Sequence, residues 1–297
     1  MSYIGRFAPS PTGDLHLGSL LAAAGSYLEA RRHQGRWLLR IEDLDAARTV
    51  PGALERILAA LEAHGFEWYG APRLQSADLD GYQEALDRLG RAGRLFRCAC
   101  SRRAIHDAGL AAEPRCVGDC RNRQSNIGSG ALRFDLGPEL RASCCRFIDE
   151  LQGEQNLPAD DYHDVVVRRR DGIFSYQLAV VVDDHRDAIT DVVRGADLLS
   201  STPWQLALAA ALSQPSPRYG HLPLVVEPDG SKLAKSRRTV AIDAARVGPN
   251  LHAVLQLLQQ GPPAELARWN PPQIWSWAAA NWTPSKLRGV QQVAAVA

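Results

Sequence analysis

Apolar and polar positions follow two rhythms along the first hundred residues. The run "YIGRFA" (3–8) reads as a short strand, and "LGSLLAAAGSYLEARR" (17–32) sets Leu17, Leu20, Leu21 and Leu28 near one stripe at helical spacing. "GRWLLRIED" (35–43) then reads as a buried strand and "ALERILAALEAHGF" (53–66) as an amphipathic helix. This β-α-β-α order predicts an α/β fold with helices on the faces of a doubly wound parallel sheet. In such sheets ligands collect at the carboxyl ends of the strands.

Between residues 96 and 130 the rhythm dissolves into cysteines and short polar residues, which predicts an insertion. Residues 131–170 read as strand-rich and irregular, and "RRRDGIF" carries a hairpin-type turn at Asp171-Gly172. Alternation resumes with a helix in "FSYQLAVVVDDH" (174–185) and a strand in "AITDVVRG" (188–195). A second helix follows in "TPWQLALAAAL" (202–212), with Thr202 as cap and Pro203 at its first position, and then a strand in "HLPLVV" (221–226). Beyond Val240 the chain is helical, and its tryptophans are expected to pack against the sheet.

Composition adds little to this picture. With 45% hydrophobic and 23% charged residues, no bilayer-length apolar run and no leader before a cleavage site, the chain reads as soluble, and a cytoplasmic location is expected. A net charge of +1 decides nothing about a polyanionic partner, because such partners bind local patches. Two patches exist. Arg88 to Arg103 holds six arginines and no acid, and Arg168, Arg169 and Arg170 form a second cluster; both read either as nucleic-acid contacts or as solvated surface.

Six cysteines in a reducing compartment point away from disulfides and towards metal. Cys98, Cys100, Cys116 and Cys120 have the spacing C-x-C-x15-C-x3-C in a segment with little apolar content. Four thiolates around one structural Zn²⁺ would replace the missing core there, with free thiols as the alternative. His106 competes as a ligand, but the x3 spacing before Cys120 favours Cys116. Cys144 and Cys145 are adjacent; on a strand they would face opposite sides as packing residues.

The stretch "RFAPSPTGDLHLGS" (6–19) joins the first strand to the first helix. A glycine-containing turn into a helix N-terminus offers backbone N–H groups and the helix dipole to an anion, with His16 as a further donor and Gly18 allowing close approach. Taken alone it is also an ordinary turn. "SKLAKS" (231–236) places Lys232 and Lys235 on a polar loop that reads either as a solvated basic turn or as a clamp on a leaving pyrophosphate. Asp183, Asp184 and His185 read either as a metal or acid–base group or, more simply, as an acidic helix end on the surface.

Together, "HLGS" (16–19) and "KLAKS" (232–236) resemble the HIGH and KMSKS signatures of class I aminoacyl-tRNA synthetases. "RFAPSPTG" (6–13), "RIEDLD" (40–45) and "VVRGADLL" (192–199) narrow the resemblance to the glutamyl type. Only 61 residues follow Ser236, where that type adds an anticodon-binding domain. With "CAC" (98–100) and "VVVDDH" (180–185), this makes the chain most similar to the short glutamyl-Q tRNA(Asp) synthetase family. The resemblance implies a class I catalytic domain in two halves, 1–95 and 166–240. It also implies a zinc-bearing insertion at 96–165, a helical region at 241–297, and no anticodon-binding domain.

The implied reaction is ATP-dependent activation of glutamate without tRNA, followed by transfer to queuosine in the anticodon of tRNA(Asp). A monomer is expected. His16 and Lys235 would hold the phosphates in the transition state, with Gly18 and Lys232 also at ATP, which arrives with Mg²⁺. Arg6 suits a carboxylate and Glu42 an ammonium group. The resemblance assigns both to glutamate, along with Ala8, Ser10, Tyr176 and Arg194. Three alternatives stand beside this reading. They are a truncated conventional glutamyl-tRNA synthetase charging the tRNA 3′ end, a nucleotidyltransferase acting on another substrate, and a zinc-dependent RNA-binding module.

Overall fold

The computed structural model describes residues 2–108, 115–123, 129–226 and 241–295. Its first half runs β1 (Ile4–Phe7), α1 (Leu17–Arg32), β2 (Arg36–Ile41), α2 (Ala53–Ala63), β3 (Arg73–Leu74) and α3 (Asp80–Arg91). β1 pairs parallel with β2, Ile4 opposite Arg36 and Phe7 opposite Leu39, and β2 pairs parallel with β3. The four-leucine stripe understates α1, because residues 23–30 are buried on every side. The sheet covers one face of this helix and the C-terminal helices cover the other, so alanine, glycine and serine set how closely its neighbours approach. A Cβ on Gly25 would fall 2.6 Å from Leu222 Cδ1.

The middle of the chain comprises β4 (Leu95–Cys98), α4 (Arg102–Asp107), β5 (Ala131–Phe134), α5 (Gly137–Cys144), β6 (Arg146–Asp149), β7 (Gly153–Asn156) and β8 (Val165–Arg168). β4, β5 and β8 form a separate antiparallel sheet. After β8 the chain turns at Asp171-Gly172, as the sequence suggested, with Gly172 at φ +91° and Arg169 N–H donating to Ile173 O at 2.8 Å. Residues 137–144 are helical, with Pro138 in the first turn, where a missing N–H costs nothing. Cys144 therefore ends a helix instead of lying on a strand; it and Cys145 are both buried in the apolar core.

The second half contains α6 (Tyr176–Arg186), β9 (Asp191–Gly195), α7 (Thr202–Ala211), β10 (Arg218–Leu222) and β11 (Leu224–Val226). "HLPLVV" is thus two strands, divided at Pro223, which has no N–H to give a ladder. Ser201, not Thr202, precedes the first turn of α7; the Thr202 hydroxyl instead accepts from Arg194 Nη2 at 2.9 Å. β9 lies beside β1, with Thr190 N–H donating to Ile4 O at 2.9 Å, and pairs parallel with β10, which pairs parallel with β6. The two halves meet where β1 and β9 run side by side, the kind of position at which doubly wound sheets bind ligands.

The chain ends with α8 (Val247–Leu257), α9 (Pro271–Asn281) and β12 (Gln292–Ala294), the last paired with β11. The tryptophans, expected against the sheet, instead seal this region onto α1 and the turn after α2. The Trp275 ring centroid sits 5.0 Å from Tyr27 and 4.8 Å from Phe66, and Trp282 Nε1 donates to the buried Glu29 carboxylate at 2.5 Å.

Candidate functional site

His16 is the N-cap of α1, and its Nδ1 accepts from the Ser19 N–H at 3.2 Å. That bond leaves the ring proton on Nε2, a donor free to face an anion at the helix N-terminus. Burial pushes the imidazole below its usual pKa, against the pull of Asp197, so it is neutral at physiological pH. Gly18 makes room for the ring: a Cβ there would lie 3.2 Å from His16 Cε1 and Nδ1. Lys232 and Lys235 lie outside the described residues. The chain is described again from Ala241, which bridges His16, while Ile242 N–H donates to Leu15 O at 2.9 Å. The first residues described after the lysine motif thus pair with the His16 turn.

At the other end of that turn, Arg6 emerges from β1 almost fully buried. Its Nε and Nη2 donate to the two oxygens of Asp184 at 3.1 and 3.3 Å, and Arg40 Nη2 reaches the same carboxylate at 2.7 Å. Burial pushes Asp184 up, yet the two guanidinium groups hold it below the ordinary carboxylate range. Behind it, Asp183 accepts from Gln75 and Tyr82 at 2.7 and 2.9 Å, and Asp187 accepts from Arg40 and Arg73 at 3.0 and 2.8 Å. The acidic pair of "VVVDDH" is thus neither a surface helix end nor part of a metal-ligand group; of the three, only His185 is exposed.

Glu42 follows β2 and is tied to the first loop by its N–H, which donates to Pro9 O at 2.9 Å. Its side chain is 12% exposed and lies 4.0 Å from Arg40 Nη2. Burial pushes it up to about 7, in spite of the lowering influence of Arg40 and Arg6. A cation docked here would restore the ionised form. Ala8 is half-buried and Ser10 exposed along the loop between Arg6 and His16.

Tyr176 begins α6, near enough to Arg194, Glu42, Arg6 and Asp184 to feel their charges; burial raises its pKa. Its hydroxyl accepts from Arg194 Nη1 at 3.2 Å. The remaining donors of Arg194 go to Gln205 Oε1 at 2.8 Å, Thr202 Oγ1 at 2.9 Å, Leu198 O at 3.2 Å and His221 Nε2 at 3.0 Å. The fold therefore gathers Arg6, Glu42, Tyr176 and Arg194 at the carboxyl ends of β1, β2 and β9. Sequence reasoning missed Arg40, Asp149, Gln205 and His221 in this region. A signal was present for two of them, since Arg40 and His221 each interrupt a strand whose only other charged residue is its first.

The Sγ atoms of Cys98, Cys100, Cys116 and Cys120 all lie within 4.8 Å of one another, with Cys100 at 3.8 Å from Cys116 and 3.7 Å from Cys120. A thiolate tetrahedron with Zn–S of about 2.3 Å has edges of about 3.8 Å, so the four residues fit the ion. Burial pushes the Cys98 and Cys116 thiols up, whereas at Cys100 the Val117 backbone and the neighbouring thiols outweigh burial and bring it to about 7, so the metal-free cluster holds its charge at Cys100. His106 is exposed beside Asp107, away from the four.

Residues 4–250 match the family model described as tRNA synthetases class I (E and Q), catalytic domain. The chain belongs to that family. A protein named Glutamyl-Q tRNA(Asp) synthetase from Aromatoleum aromaticum is 48% identical over 290 residues, covering 95% of this chain and 89% of its own length. Another of that name, from Pseudomonas aeruginosa PAO1, is 46% identical over 289 residues, covering 96% of this chain and 95% of itself. Among solved structures, a glutamate-tRNA synthetase from Elizabethkingia anophelis superposes with a TM-score of 0.77 at 24% identity, over 98% of this chain and 68% of its own, which speaks to the fold.

As a member of the class I synthetases, the chain is an ATP-dependent ligase, and this family works on an amino acid, ATP with Mg²⁺, and tRNA. Among the described residues, no helix is long and apolar enough to cross a membrane. The two arginine clusters separated in the sequence meet in this synthetase along one cleft of about 780 Å³, lined by Arg91, Arg97 and Arg168 and adjoining Arg170. Several of these guanidinium groups bond neutral partners: Arg168 to Gly172 O and Gln83 Oε1, and Arg170 to Ala99 O.

Proposed function

We infer that the chain activates glutamate with ATP, without needing tRNA, and passes the glutamyl group to queuosine in the anticodon of tRNA(Asp). The observation that carries this reading is the pairing of two substrate-sized ends on one turn. A buried cation and a carboxylate poised near neutrality, Arg6 and Glu42, suit a carboxylate and an ammonium group, while the His16 cap suits phosphate. In the first step an α-carboxylate oxygen bonds to the α-phosphorus as the bond to the bridging oxygen breaks, leaving glutamyl-adenylate and pyrophosphate. In this reading His16 Nε2–H and Lys235, with Gly18 and Lys232 beside them, hold the phosphate oxygens as charge develops. Arg6, Ala8, Ser10, Glu42, Tyr176 and Arg194 hold the amino acid. The names of the relatives support the queuosine acceptor. The arginine cleft, where Arg168 and Arg170 bond neutral groups, is suited to an RNA backbone.

The test is glutamate-dependent ATP–pyrophosphate exchange without tRNA, followed by glutamylation of queuosine-containing and queuosine-free tRNA(Asp). Exchange without tRNA, and transfer confined to the queuosine form, are expected. No exchange removes the tRNA-independent activation, and equal labelling of both tRNAs removes the queuosine acceptor. Cys98, Cys100, Cys116 and Cys120 hold one structural zinc per chain in this reading. Metal analysis of protein purified without added zinc should return a stoichiometric amount, and none would refute it.

A further inference from the structure

Arg194 has five N–H donors, and five protein atoms take them: His221 Nε2, Tyr176 Oη, Gln205 Oε1, Thr202 Oγ1 and Leu198 O. Four of these partners come from behind the site, since His221, Gln205 and Thr202 are buried and Leu198 contributes its backbone. Tyr176 is the partner that stands among Arg6, Glu42 and Asp184. The Nη1–Tyr176 edge of this guanidinium is thus the one that faces Arg6, Glu42 and Asp184, and its orientation is braced from Nε.

What sits at Nε is a buried pair. For His221 Nε2 to accept from Arg194 at 3.0 Å, the imidazole must carry its proton on Nδ1, which faces Asp149 Oδ2 at 2.5 Å. The other oxygen of Asp149 accepts three backbone N–H groups, from Leu151 at 3.0 Å, Gln152 at 2.8 Å and His221 at 3.1 Å. Both side chains are wholly inaccessible to solvent. The chain of bonds crosses neighbouring strands: Asp149 on β6 and Tyr219 on β10 are register partners, as are His221 and Arg194 on β10 and β9. The groups facing the imidazole are Asp149, Arg194, the Thr202 hydroxyl and the stacked Tyr219 ring, with Asp197 acting from further off. Burial keeps the ring neutral, so it serves as donor and acceptor at once. A core needs no such arrangement, because apolar side chains of similar size would bury as well or better.

We propose that Asp149 and His221 are positioning residues that fix the tautomer and angle at which Arg194 and Tyr176 meet the substrate carboxylate. This rests on the reading that Arg194 serves the amino acid. Asp149→Asn is the sharpest test. The amide oxygen can keep the three backbone bonds, but its N–H₂ then faces His221 Nδ1, which forces the ring proton onto Nε2, against the N–H of Arg194. The same tautomer logic governs catalytic carboxylate–histidine pairs.

In ATP–pyrophosphate exchange, Asp149→Asn is expected to raise the KM for glutamate about tenfold to a hundredfold, the size of one misplaced hydrogen bond to a charged group. The KM for ATP should stay near wild type, while the melting temperature falls by a few degrees because buried donors lose their acceptor. His221→Leu should behave in the same way. His221→Gln, whose amide can donate to Asp149 and accept from Arg194, should recover most of the loss. If Asp149→Asn does not fold, the two His221 variants decide. Arg194→Lys separates the levels of argument. An unchanged glutamate KM in Arg194→Lys removes the reading of Arg194 itself. A raised KM there, with wild-type values in Asp149→Asn and His221→Leu, overturns the positioning role alone. Equal losses in both substrates' KM values and in kcat would also overturn it, by making the pair merely structural.

Discussion

The two ends of the turn between β1 and α1 are built by different means. At the amino-acid end each cation is braced by buried partners: Arg6 by Asp184, Asp184 in turn by Arg40, and Arg194 by five acceptors. At the phosphate end the described residues supply an imidazole that caps its own helix, beside a strand bridge to Ala241. On the proposed function, selectivity is thus prepared in the folded chain, by charges that cannot follow a wrong ligand. Charge stabilisation is left to the helix N-terminus and, on our reading, to lysines from a separate segment. Substitutions at the two ends should therefore separate, with the phosphate end changing kcat and the amino-acid end changing the KM for glutamate.

The largest effect is expected at the phosphate end. Lys235→Ala should lower the rate of glutamate activation by about 10²-fold or more, as for loss of one charge-stabilising donor, while the KM for glutamate holds. A wild-type exchange rate would remove Lys235 from the chemistry. Arg6→Lys comes next and should do the reverse. A lysine cannot keep both bonds to Asp184 and still offer a donor at the site. The KM for glutamate should rise by about tenfold or more, with kcat less affected. Parallel changes in the two constants would break the comparison.

Glu42 sharpens it further through pH. With its carboxyl pushed up to about 7 by burial, the free site loses its anion as pH falls below about 7. The KM for glutamate should then climb by about tenfold per pH unit below that point and stay flat above it. Stability has the opposite sign. Because the folded chain holds this proton more tightly than the unfolded chain, whose carboxyl titrates near 4.5, Glu42 makes folding less favourable as pH rises from about 4.5 to about 7. Glu42→Gln should therefore raise the melting temperature above pH 7 while weakening glutamate binding, and leave melting unchanged in acid. A variant that is destabilised at every pH would contradict this account.

The contrast also explains what could be read from the sequence. The α/β order, the two apolar strands of the first half and the Asp171-Gly172 turn were legible because periodicity and turn chemistry are local signals. The cysteine cluster was legible because four cysteines at metal-ligand spacing fall in a segment with little apolar content. Asp183 and Asp184 were misjudged as surface acids, since nothing in "VVVDDH" shows that Arg6, Arg40 and Arg73 converge on them from three separate strands. The stripe on α1 was too narrow for a related reason: the helices that bury its far side lie more than two hundred residues away. The bridge between His16 and Ala241 is likewise non-local. The motif could be matched from sequence, but the reason for its spacing could not.

The smallest effect expected is at Gly18, and it isolates the imidazole from the helix that it caps. Alanine is about 1 kcal/mol better than glycine inside a helix, so by propensity alone Gly18→Ala should stabilise α1. The new Cβ, however, would sit 3.2 Å from two ring atoms of His16, which must give way and so shift the ring on its bond from the Ser19 N–H. Activation should fall by roughly threefold to tenfold, a fraction of the full donor effect, with the KM for glutamate unchanged and the melting temperature equal to or above wild type. If activity and melting temperature fall together, the glycine serves the packing of the turn. If activity falls alone, the absent side chain is there for the aim of one N–H at a phosphate oxygen.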